Sequence, residues 1–64
     1  MPAKGREIYL EFLVQGAFVK VTAIDPVSGL EAFITGPSGA PRATLEAAAL
    51  RKLDYVRKKQ NGGA

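Results

Sequence analysis

Histidine, cysteine and tryptophan are absent from this chain, and the first two absences each remove a class of chemistry. Without histidine there is no ordinary proton shuttle at neutral pH, and Ser28, Ser38, Thr22, Thr35 and Thr44 have no imidazole to activate their hydroxyls. Without cysteine there are no disulfide staples and no thiolate metal ligands, which fits a reducing cytosol and leads us to expect a cytoplasmic protein. The opening segment, Met1 to Arg6, lacks a charged stretch followed by an apolar run, so neither a signal peptide nor a membrane span is expected.

What is present is small and basic. At 64 residues the chain is expected to form one domain, residues 1–60, with 61–64 as a disordered tail. A domain of this size buries only about 60% of its unfolded surface, so association with a partner would matter to it. The net charge of +3 is unevenly placed. Residues 1–41 set Lys4, Arg6 and Lys20 against Glu7, Glu11, Asp25 and Glu31, whereas the remainder sets six cations, among them Arg51, Arg57, Lys58 and Lys59, against Glu46 and Asp54 alone. Cations at a helix C-terminus complement its dipole, and that is the ordinary reading of Arg57, Lys58 and Lys59. An anionic partner is the other.

The alternation Ile8, Leu10, Phe12, Val14 answered by Ala17, Val19, Val21, Ala23 predicts a hairpin across Gln15-Gly16, with Val14 opposite Ala17. Every apolar series then shares one face. Sliding by one residue would bury Lys20 and the Thr22 hydroxyl instead. Asp25-Pro26-Val27-Ser28-Gly29 predicts the second turn: Pro26 presets φ, Asp25 bonds forward to the backbone, and Gly29 supplies a left-handed exit. Asp25 then faces Leu30, Ala23 faces Ala32 and Val21 faces Ile34, giving a third strand from Leu30 to Thr35. The run Gly36 to Ala40 reads as a break in the sheet, and Pro41 suits the first turn of a helix.

From Arg42 to about Lys59 the period becomes 3.6, with Leu45, Ala49, Leu53 and Val56 on one stripe flanked by Ala48 and the stem of Lys52. One apolar sheet face and one apolar helix stripe are best satisfied together. The predicted fold is therefore α+β: a three-stranded antiparallel meander in the order 1-2-3 with one C-terminal helix packed on one face, βββα. Leu10, Val21 and Ile34 are expected to form the central row of its core.

The segments Lys20 to Pro26 with Gly29, Gly36-Pro37, and Ala49 to Leu53 with Tyr55-Val56 resemble a family of short alphaproteobacterial proteins of unknown function, roughly sixty residues long. With the first strand they span nearly the whole chain. The resemblance implies a bacterial cytosolic protein and supplies no activity. Phe33 departs from the pattern, since a small polar residue is expected there.

Catalysis needs tunable groups that converge, and none do in this pattern. Glu11 is expected to pair with Lys20 across the hairpin, and Asp25 with Glu31 flanks a turn, with no cage for a metal. Gly36 to Gly39 lacks the Gly-Lys-Ser/Thr ending of a phosphate loop. We therefore expect no enzyme, no cofactor and no metal. The remaining signal is the sheet face that the helix cannot reach, which carries Tyr9, Leu13, Phe18, Ile24 and Phe33. Apolar groups gathered on one small face point to a protein-interaction module or a homodimer using that face or the strand edges. The alternative is a nucleic-acid-binding module using Arg51, Arg57, Lys58 and Lys59 on the helix, because the carboxylates of the sheet face repel phosphate.

Overall fold

A computed structural model describes residues 7–61, so the expectations for Met1 to Arg6 and for the tail from residue 62 lie outside the described residues. Strands β1 (Tyr9–Gln15), β2 (Phe18–Ile24) and β3 (Glu31–Pro37) form an antiparallel sheet in the order β1-β2-β3, followed by helix α1 (Arg42–Asn61). The expected βββα meander is what the chain adopts.

The hairpin register differs from expectation by two positions. Val14 pairs with Val19 and Gln15 with Phe18, leaving Gly16-Ala17 as the turn in place of Gln15-Gly16. Gly16 has φ of +62° and no other residue of this turn is left-handed, the pattern of a type II′ turn with glycine in its first central position. Reading Gly16 as the second central residue was the error. A slip of two preserves the pleat, so both faces survive while their rungs change. Phe12, not Leu10, joins Val21 and Ile34 in the central row; Glu11 opposes Thr22, and Lys20 opposes Leu13.

The second turn is as the sequence implied. Asp25 accepts at Oδ1 from the Val27 backbone N–H at 3.0 Å, Asp25 N–H donates to the Leu30 carbonyl at 2.9 Å, and Gly29 exits at φ +82°. Ala23 opposes Ala32, and Val21 opposes Ile34.

Strand β3 runs to Pro37 and does not stop at Thr35. Gly36 acts in the strand as a spacer: a Cβ there would lie 2.8 Å from Leu45 Cδ2, so glycine leaves room for that methyl group where the helix meets the sheet. Pro41 then launches the helix, its carbonyl accepting from the N–H groups of Thr44 and Leu45. The core comprises Val19, Val21, Ala23 and Ala32 from the sheet with Leu45, Ala49 and Leu53 from the helix. Helix packing is off-centre. Residues of β2 and β3 are buried, but no residue of β1 is, and Val14 remains 65% exposed.

Candidate functional site

Four features compete for the role of a site, and each follows from which side of the sheet a residue occupies. On the outer face, Tyr9, Leu13, Phe18 and Phe33 each keep more than half of their surface, while Ile24 is half-buried. The rungs of that face read Tyr9–Ile24–Glu31, Glu11–Thr22–Phe33, Leu13–Lys20–Thr35 and Gln15–Phe18–Pro37. All five expected contact residues are thus brought to one surface. Leu13 and Phe18, which a register with Val14 opposite Ala17 would pair, sit on successive rungs. Lys20 Nζ lies 4.6 Å from the Phe33 ring centre, and Lys52 Nζ reaches the same ring at 5.9 Å from the helix side. The aromatic expected to be a departure from type is therefore flanked by two cations.

The basic helix end is less free than its composition suggests. Arg57 donates to Asp25 Oδ2 at 2.8 Å and lies 3.6 Å from Asp54, while Lys58 lies 3.5 Å from Asp54. Lys59 sits 5.9 Å from the Tyr55 ring centre. Arg51 makes none of these pairs; with Ile34, Ala48, Lys52 and Tyr55 it lines a shallow groove of about 350 Å³ between helix and β3.

The Asp25–Arg57 pair is the feature that sequence reasoning missed. Asp25 retains 1% of its surface, and the Arg57 side chain 26%. The Arg57 guanidinium holds the Asp25 carboxyl below the ordinary aspartate value; burial opposes this, and the Val27 and Ser28 N–H groups and the Ser28 hydroxyl add to it. A signal for the pair existed. Asp25 continues the inward series 19, 21, 23, and Arg57 lies four residues beyond Leu53 on the core stripe, so the two periodicities together point two opposite charges at the interior.

The two free edges of the sheet form the last feature. In a two-residue hairpin the residues flanking the turn exchange hydrogen bonds and the pairs then alternate, so Leu10, Phe12 and Val14 direct their N–H and C=O groups away from β2. On the other side, the bonds from Asp25 N–H to Leu30 and from Ser38 N–H to Ala17 set the opposite phase, and Glu31, Phe33, Thr35 and Pro37 point outward from β3. Lys52 Nζ donates to the outward Phe33 carbonyl at 3.4 Å, and Pro37 has no N–H to offer. Among the described residues no side chain bonds in this way to β1.

A meander that carries one helix on one side, aromatic side chains on the other and, among the described residues, no side chain bonded to the β1 edge is a small βββα domain. Over residues 5–60 the chain matches the family described as a domain of unknown function (DUF6898), and it belongs to that family. No curated protein and no solved structure matches it. No helix among the described residues is long and apolar enough to cross a membrane.

Proposed function

We propose that this chain is a non-catalytic interaction module of the bacterial cytoplasm that binds a macromolecular partner through its outer sheet face, with Phe18, Phe33, Tyr9, Leu13 and Ile24 as the contact residues. One observation carries the reading. The molecule is a slab with principal extents of 36 × 31 × 16 Å, the only helix among the described residues lies on one side, and the other side exposes aromatic and aliphatic side chains interleaved with Glu11, Lys20 and Glu31. Aromatic anchors with charges around them match the composition of protein interfaces, whereas the single apolar residues normal on any surface are scattered and do not gather on one face.

The helix reading, with Arg51, Arg57, Lys58 and Lys59 set against nucleic-acid phosphates, has less to support it because Arg57 and Lys58 are already paired with Asp25 and Asp54. Both readings meet in one experiment. Phe18→Glu, which points away from the helix, is expected to keep the wild-type circular dichroism and to lose a partner captured from cell extract at least tenfold. The double variant Lys58→Ala/Lys59→Ala is expected to retain it. Capture indifferent to Phe18→Glu would overturn the face assignment, and salt-dependent retention of nucleic acid lost with the lysines would favour the helix.

A further inference from the structure

We propose that the bare β1 edge pairs with β1 of a second copy of this chain, antiparallel and with Phe12 on the two-fold axis, joining two three-stranded sheets into one of six strands. The inference goes beyond the outer-face reading and stands without it, because it rests on the backbone groups and register of the β1 edge and not on the exposed aromatics.

Edge protection supplies the first argument. Proteins blunt free edges with charges, prolines or covering groups, and this chain does so on β3 with Lys52, Pro37 and Glu31. The same chain leaves the outward groups of Leu10, Phe12 and Val14 uncovered among the described residues, with apolar side chains on both faces of the strand.

Register supplies the second. A two-fold axis normal to the sheet keeps inner residues opposite inner ones, so the axis must pass through a residue. Through Glu11, it would set two carboxylates directly opposite each other. Through Leu13, it would leave Tyr9 and Leu10 without strand partners, since β1 ends at Gln15. Through Phe12, all residues of β1 pair: Phe12 with the partner's Phe12, Leu10 with the partner's Val14, Glu11 with the partner's Leu13 and Tyr9 with the partner's Gln15. The outward hydrogen-bonding groups of Leu10, Phe12 and Val14 then meet their counterparts in phase.

Charge and shape supply the third. On the outer face the partner's Glu11 falls beside Leu13, whose rung neighbour is Lys20, so opposite charges stand two strand spacings apart, about 10 Å between backbones and within reach of both side chains. On the inner face, Phe12, Val14, Val19, Arg42 and Leu45 line a groove of about 210 Å³ where the helix begins, with the Arg42 guanidinium 4.1 Å from the Phe12 ring centre. The partner's Leu10, opposite Val14, enters that groove. One paired edge lies at the small end of specific interfaces, so the dimer is expected to be weak and concentration-dependent.

Sedimentation equilibrium from about 10 µM to about 1 mM is expected to show the mass rising from 6.8 kDa toward twice that value. In a mixed isotope-labelled sample, an intermolecular nuclear Overhauser effect between the α-protons of Glu11 and Leu13 identifies the register, because that pair is the close, non-hydrogen-bonded one. Val14→Lys is expected to weaken association tenfold or more with unchanged circular dichroism. Should it disturb the fold, chain synthesis with an N-methyl group on Phe12 removes one outward donor without touching β2. A chain that stays monomeric at about 1 mM overturns the proposal, as does a dimer that survives the edge changes. A dimer abolished only by Phe18→Glu would transfer self-association to the outer face, contradicting the edge while leaving the proposed contact face intact.

Discussion

Strands β1 and β3 are both edges of one sheet and equal in length, yet they are finished differently. Strand β3 is held from beneath by the helix, contributes Ala32 to the core, has its Phe33 carbonyl occupied by Lys52 and ends in a proline. Strand β1 contributes nothing fully buried, and among the described residues no side chain bonds to its outward backbone groups. The difference originates in where the helix lies. Leu45, Ala49 and Leu53 pack over β2 and β3, Gly36 leaves room there for the Leu45 methyl group, and Lys52 lies within reach of the β3 edge. A covered edge and a bare edge in one small domain are what a chain needs if it is to associate on one side without polymerising on the other.

The contrast is most easily broken at the core. Leu53→Ala is expected to cost about 2–5 kcal/mol in urea unfolding, because Leu53 is fully buried between the helix and the covered strands. Val14→Ala, on the bare strand, is expected to stay within about 0.5 kcal/mol for the monomer. Equal costs would mean that β1 is as firmly supported as β3.

Acid provides the next comparison. Because Arg57 lowers the Asp25 pKa in the folded chain, the pair's contribution is fully present above the unfolded aspartate value and is lost as pH falls from about 4 through the lowered one. Asp25→Asn is therefore expected to destabilise the fold at neutral pH and to flatten the fall in stability on the acid side, read from thermal unfolding at stepped pH. An unchanged acid slope would remove the pair from that role. The smallest effect on stability is expected from Lys52→Ala combined with Pro37→Val, which uncovers β3. Its signature is association beyond the dimer in light scattering, while a size distribution like that of the wild type would show that β3 needed no guard.

Most of the architecture was legible in the alternation of residues. The inward series on the first two strands and the stripe on the helix could be satisfied in only one layered arrangement, and a register error of two left that conclusion intact because side chains repeat every two positions. What the pattern could not fix was position along the strand. Gly16 could take either central place of a hairpin turn, but the second would require Gln15 at positive φ, and with Gly16 first no non-glycine residue adopts one. Gly36-Pro37 reads as punctuation in one dimension; in three it is a strand end where the glycine makes room for Leu45 and the proline faces outward. The outer face was legible residue by residue. The Asp25–Arg57 pair was not, because turn chemistry explained Asp25 and dipole chemistry explained Arg57, and each account was sufficient until the two side chains met.

That meeting joins residues 32 apart in sequence, and the clasp turns the stretch from Asp25 to Arg57 into a closed circuit that includes all of β3 and most of the helix. Strands β1 and β2 both lie outside the circuit and reach it through the β2–β3 ladder and the shared core. Opening that starts at the β1 edge leaves the ring closed, so amide exchange is expected to be faster in β1 than in β3 and the helix.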